Sequence, residues 1–202
     1  MKKHLAKDRL YESHKLVAPT KPILCTSKNE DFSDHVAPFS WFIPISCNPP
    51  RVGLALLARP EKQHTLVNIE RTGEFVINVP DDSMLEKLVE SSYDLRKHKN
   101  KFDRSEFKRR ESMEVGPPGI EECRVHFECK VKEIIDVGDH FFIIGDVLGA
   151  TYDTDAFTEE LSVKIDNFRP VFHVNEYKLH GYQMHVFLSA LCLKVVEVNY
   201  PK

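Results

Sequence analysis

The sequence predicts a mainly β fold, a β-barrel with peripheral helices, and three observations predict it. Apolar runs of strand length recur along the chain, separated by Pro, Gly and Asn turns. One of them, Val125–Val131, alternates strictly, with Val125, Phe127, Cys129 and Val131 on a buried face and Arg124, His126, Glu128, Lys130 and Lys132 on a wet one. Finally, strands do not alternate with helices in a βαβ rhythm and no internal repeat occurs, which disfavours a parallel sheet. No GxGxxG follows a strand and no GxxxxGK occurs, so neither a Rossmann nor a P-loop nucleotide site is expected.

Taken in order, residues 1–15 form a polar lead-in, with a short helix as one option. Pro19 and Pro22 make Leu16–Ser27 extended. Lys28–Asp34 is a polar turn, and Ala37–Ile45, interrupted by Pro38 and Pro44, is strand or irregular strand. Asn48-Pro49-Pro50 turns the chain into Arg51–Ala58, a run suited to a strand buried on both faces. Thr65 offers a hydroxyl N-cap for a short helix that Gly73 stops. Glu74–Val79 alternates as a strand. Ser83 and Glu86 have capping-box spacing ahead of a helix with Met84, Leu85, Leu88 and Val89 on one face. Asp94–Arg110 reads as a charged loop or frayed helix, with Phe102 and Phe107 suggesting that it folds over something. Gly138-Asp139-His140 joins the alternating strand to a partner, Phe141–Leu148. Asp153–Glu160 is an acidic loop, and Phe168–Val174 and Met184–Val198 are late apolar segments.

With 202 residues, the chain suits a single domain over 16–202 behind its lead-in. A net charge of −3 gives no electrostatic footprint for nucleic acid. The basic N-terminus lacks an apolar signal core, and no apolar stretch approaches the ~20 residues that span a bilayer. A cytoplasmic protein without nucleic-acid or membrane partners is the expectation. Five cysteines, an odd number without CxxC or zinc spacing, read as small buried hydrophobes, and no metal site is expected.

The stretch His35–Ile69 stands out for its hydroxyls, paired prolines and basic loop running into a helix. Arg59, Lys62, His64 and Thr65 fall at that entry, a natural anion site, and Asn68 lies one turn further. Residue by residue, plainer roles compete: Ser40 and Ser46 as turn caps, Arg59–His64 as a solvated loop, His140 as an exposed turn residue, Cys47 as packing.

Four blocks resemble the flavin reductase-like, FMN-binding split-barrel family, which includes flavoredoxin. They are Ala37-Pro38-Phe39-Ser40 with Ser46 and Asn48-Pro49-Pro50; Lys62, His64-Thr65 and Asn68-Ile69 with Thr72–Val79; Lys101–Ser105, Ile120–Cys123, Phe127–Val131, Gly138-Asp139-His140 and Gly145-Asp146-Val147; and Arg169-Pro170-Val171-Phe172-His173. They occur in the family's order across roughly residues 16–175. One departure is His35, where the family commonly has asparagine.

The resemblance implies an oxidoreductase whose FMN ring lies along Pro38, Phe39, Ser40 and Trp41 with Ser46, Cys47 and Asn48. Its phosphate would lie on Arg59, Lys62, His64, Thr65 and Asn68. It places His140 at the open ring face, where NADH or NADPH approaches, and gives Lys101, Phe102 and Arg104 a role in a lid. It also implies a homodimer, with Arg169–His173 packing at the subunit interface. The electron acceptor would be free flavin, ferric iron or a redox protein. An FMN electron carrier without nicotinamide activity and a non-enzymatic split-barrel module are the alternatives.

Overall fold

The computed structural model describes residues 2–92, 101–179 and 182–189. A 3-10 helix, Lys7–Val17, leads in and buries none of its residues. It is followed by β1 (Ile23–Lys28), β2 (Asp34–Phe39), β3 (Phe42–Cys47), β4 (Pro50–Leu57), α1 (His64–Thr72) and β5 (Glu74–Val79). Next come the short helices α2 (Leu85–Glu90) and α3 (Lys101–Arg104), and the short strands β6 (Arg109–Arg110) and β7 (Gly119–Ile120). A long pair, β8 (Val125–Asp136) and β9 (His140–Tyr152), precedes a last hairpin, β10 (Val171–Leu179) and β11 (Tyr182–Ser189). The mainly β architecture is as the sequence predicts.

Seven strands form one antiparallel sheet in the order β2-β1-β5-β8-β9-β4-β3. Its two edge strands, β2 and β3, are consecutive in sequence and separated only by Ser40 and Trp41. The sheet must therefore curl until its edges approach each other, yet they share no ladder: the barrel is split at this turn. Proline explains why the split falls here. Pro38 and Pro44 cannot donate to a neighbouring strand and are tolerated at sheet edges. β3 adds a bulge between Pro44 and Ser46. The Ala37–Ile45 segment is thus two edge strands, not one irregular strand.

The barrel interior is filled by Ile23, Cys25, Leu54, Leu56, Leu66, Ile69, Phe75, Ile77, Cys129 and Ile143, with Phe39 and Phe42 packed against it. β1 is buried on both sides, because Leu24 points into a second cluster with Val36, Met84, Leu88, Phe102, Phe107 and Ile120. Phe102 and Phe107 thereby anchor the charged segment, as their isolation among charges suggested. Residues 94–100 of that segment lie outside the described residues, as do Cys192 and the end of Met184–Val198.

Several local expectations are corrected. α1 is capped at Gln63 and Thr65 lies inside the helix, whereas Gly73 ends it as expected, with φ 71° and its N–H on Ile69 O. The carboxylate of Asp81, not Ser83, caps the turn before α2: it accepts from the Ser83 backbone N–H at 3.0 Å. His126 and Glu128 are buried rather than wet, because residues 113–120 cover that face of β8. The Glu128 carboxylate accepts from the N–H groups of Met113 and Glu114, and His126 Nε2 lies 2.7 Å from Ile120 O. β5 does not alternate either; Phe75 to Val79 are all buried. Cys25, Cys123 and Cys129 are buried, but Cys47 is exposed on edge strand β3 rather than buried as a small hydrophobe.

Phe168 is buried inside the chain, in a cluster with Val79 and Ala156, and Val171 is buried too. Arg169 reaches Asp82 at 3.7 Å and His173 bonds back to Thr20 through the backbone. The Arg169–His173 segment thus has contacts within the chain that the interface expectation did not include. Among the described residues, no helix is long and apolar enough to cross a membrane.

Candidate functional site

The loop after β4 delivers α1 against β1 and β2, so the first turn of α1 meets the side chains of both strands. Thr65 and Asn68 are on the helix face that packs inward, and both are essentially buried. His35 of β2 reaches the same place: its Nε2 is 3.0 Å from Thr65 Oγ1. His64 Nε2 is 2.9 Å from Asn29 Oδ1, and Asn68 Nδ2 donates to Asn29 Oδ1 and to Ser27 Oγ. The His35 and His64 rings stand 4.9 Å apart.

This cluster is basic. Burial pushes the His35 imidazole down to about 3, with His64 and Lys101 of α3 adding positive charge in the same direction. His64 is lowered for the same reasons, burial first and then Lys101. Among the described residues, each charge that shifts the two rings is positive. A helix N-terminus adds a partial positive charge, so the cluster suits an anion with several oxygen acceptors.

Lys101 stays near through a clamp. Arg109 of β6 binds Asp34 of β2 at 2.6 Å and Asp103 of α3 at 2.5 Å, and its guanidinium lies over Phe102, 4.7 Å from the ring centre.

Further along β2, Pro38, Phe39 and Ser40 border a cavity of about 160 Å³ closed by Pro22, Leu88, Val89, Ser92, His173 and Phe187. Ligand cavities usually exceed about 300 Å³, so one chain does not enclose a nucleotide here. Trp41 follows, with its carbonyl accepting from Ala55 N–H at 3.0 Å. Its indole stacks on His140 with ring centres 4.5 Å apart, and His14 of the leading 3-10 helix meets its edge at 5.5 Å. Asp139 Oδ1 is 2.7 Å from His140 Nδ1. From His35 to Pro38 is about 10 Å at the rise of a strand, a separation that a polyol-phosphate chain can bridge.

The sequence-predicted residues thus fall into groups. His64, Thr65 and Asn68 come together at the start of α1, and Pro38, Phe39, Ser40 and Trp41 come together with His140 at the split. Arg59 and Lys62 are engaged elsewhere, in ion pairs with Asp136 at 2.6 Å and Glu70 at 2.7 Å, both flanking Phe141. Ser46, Cys47 and Asn48 lie at the opposite end of β3 from Trp41, about 17–23 Å away at strand rise. Sequence reasoning missed Ser27, Asn29 and His14, which sit in plain polar segments, and left His35 without a role. The pairing of His35 with Thr65 is visible only once β2 lies beside α1.

Against protein-family models, residues 17–173 match the one described as "Flavin reductase like domain". An uncharacterized protein of Methanothermobacter thermautotrophicus is 32% identical over 161 residues, covering 77% of this chain and 74% of that protein. Nitrilotriacetate monooxygenase component B from Bacillus cereus shares the fold, with a TM-score of 0.83, 18% identity and coverage of 98% and 99% of the two chains. An FMN-binding protein from Thermus thermophilus shares it with a TM-score of 0.72, 16% identity and coverage of 92% and 96%.

Proposed function

Because the chain belongs to the flavin reductase-like family, we propose that it is an FMN-dependent oxidoreductase. In this reading NADH or NADPH supplies the electrons and a further acceptor, either free flavin, ferric iron or a redox protein, receives them. The observation that carries this reading is the spacing of two unlike surfaces along β2. A basic, hydroxyl-bearing cluster at the start of α1 is followed, about 10 Å along the strand, by the turn at the barrel split where aromatic rings gather. FMN has the same order of parts: a terminal phosphate, a polyol chain and a flat ring.

Thr65, His64 and Lys101 would hold the phosphate. The backbone of Pro38–Trp41 would hold the ring edge, with N–H donors aimed where reduction places negative charge. The bound flavin would supply the hydride-accepting and electron-releasing chemistry. Trp41 and His140 form the open aromatic wall against which a nicotinamide can lie. With Asp139 beside its Nδ1, the His140 ring is held in one orientation and positions the donor without transferring a proton.

Homodimerisation completes the proposal. Ile43 and Ile45 are exposed on edge strand β3, at 55% and 40%. A second copy covering this edge would bury them, together with the end of β3 that carries Ser46, Cys47 and Asn48.

Anaerobic mixing of the FMN-loaded protein with NADH and with NADPH tests the activity. Bleaching of the flavin band by either donor is expected. A flavin that stays oxidised with both, but is bleached by a reduced redox protein, would make the chain a carrier. Absence of flavin bands after FMN is added would leave the non-enzymatic module.

A further inference from the structure

We propose that His64 takes up a proton when the flavin phosphate binds, so that this chain's affinity for FMN, unlike its affinity for riboflavin, rises as pH falls. The inference rests on the phosphate reading of the α1 cluster. It begins with the hydrogen-bond directions around Asn29. The Asn29 amide nitrogen donates to Ser33 Oγ at 2.9 Å, so its Oδ1 faces His64 and Asn68 and accepts from Asn68 Nδ2. An acceptor 2.9 Å from His64 Nε2 requires the proton to sit on that nitrogen. Neutral His64 then presents Nδ1 as a bare lone pair, for which the described residues supply no donor.

A lone pair repels a phosphate oxygen; a proton there makes a charge-assisted donor. Before ligand binds, that proton is disfavoured. The His35 ring from β2 packs beside the His64 ring, and burial together with the positive charge of Lys101 from α3 opposes charging it. Arg71 of α1 lies behind Asn29, bonded to the carbonyls of Lys28 and Asn29. Asp34, next to His35 in sequence, is bound by Lys28 and Arg109, and Lys62 by Glu70. A phosphate dianion set among these groups reverses the balance, since an opposite charge within a few ångströms favours the protonated ring.

His35 has a different part. It is more deeply buried, stays neutral and holds Thr65 Oγ1 at 3.0 Å. With the proton on its Nε2, it donates to the Thr65 oxygen and turns the threonine O–H outward as a donor to the same anion. Two histidines 4.9 Å apart therefore divide the work: one keeps its charge state and aims a hydroxyl, the other charges when the ligand arrives.

Titration calorimetry of FMN into the flavin-free protein, in buffers of different ionisation heat, tests this. The pH is kept above the second phosphate pKa of about 6, where the ligand's own ionisation contributes little. The wild type should take up a sizeable fraction of one proton per FMN, and its affinity should fall by up to about tenfold per pH unit toward alkaline pH. Riboflavin should bind with no uptake. His64→Asn, which can still bond Asn29, should bind FMN more weakly with no uptake and a flat pH profile.

Uptake that persists in His64→Asn, or wild-type binding of FMN without uptake, overturns the proposal while leaving the FMN site intact. Failure of the wild type to bind FMN at any pH overturns the site itself. If His64→Asn does not fold, the contrast between FMN and riboflavin in the wild type still decides the matter.

Discussion

Thr65 and Asn68 look alike in sequence, as polar residues one turn apart at a helix start, but the structure separates their roles. Both amide hydrogens of Asn68 are committed to Ser27 and Asn29, so it fastens α1 to β1. Among the described residues the Thr65 hydroxyl bonds His35, and with the His35 proton on Nε2 it keeps a hydrogen to give. Thr65→Ala should weaken FMN binding by about 1.5–3 kcal/mol, the worth of a hydrogen bond to a charged group, and Thr65→Ser should restore it. Asn68→Ala should instead lower urea-unfolding stability by about 1–3 kcal/mol through the buried partners it strands. His35 adds a pH dependence. Its folded value, about 3, lies below the 6.5 of an unfolded histidine. Between these values the unfolded chain binds the extra proton, so stability is full above pH 6.5 and is lost as pH falls through the window. The slope contributed is up to about 1.4 kcal/mol per pH unit, with His64 and His126 adding in the same direction. Denaturation of the flavin-free protein across this range should show the decline, and His35→Gln should flatten part of it.

Among the elements, α3 depends on others for its place. It has four residues, too few to hold as a helix alone, and is secured by buried Phe102 and by Arg109 gripping Asp103 and Asp34. Arg109→Ala should release Lys101 from the histidine cluster and weaken FMN binding by about 1 kcal/mol, the scale of a half-exposed charge. Arg109→Lys, one-armed, should recover only part, and riboflavin binding should barely change. What the sequence made legible at this scale follows from local causes. The alternating β8, the Gly73 stop and the apolar run of β4 are set by neighbours in the chain. Burial of Glu128 and His126 was not legible, because residues 113–120 cover them from outside β8. The Thr65 cap was misplaced by two residues, since Gln63 takes the capping position without a side-chain bond. His64, Thr65 and Asn68 could be picked out at the helix start, but the engagement of Lys62 by Glu70 across α1 could not.

For the whole molecule, one topological fact organises the rest. The edge strands of the seven-stranded sheet are sequence neighbours, so the split and the Ser40–Trp41 turn coincide. Among the described residues the split leaves an unpaired, apolar edge on β3, and edges of this kind are covered in stable proteins. The chain should sediment as a dimer. Ile43→Lys with Ile45→Lys should shift it to monomers and weaken FMN binding, while leaving the barrel core unaltered. The central claim, that flavin lies at the split with its phosphate on α1, has a direct reporter, because Trp41 is the single tryptophan of the chain. Titration of the flavin-free protein with FMN should quench Trp41 emission saturably at one FMN per chain, with Thr65→Ala shifting the curve to higher FMN. Saturable FMN binding that leaves Trp41 emission unchanged would contradict the account.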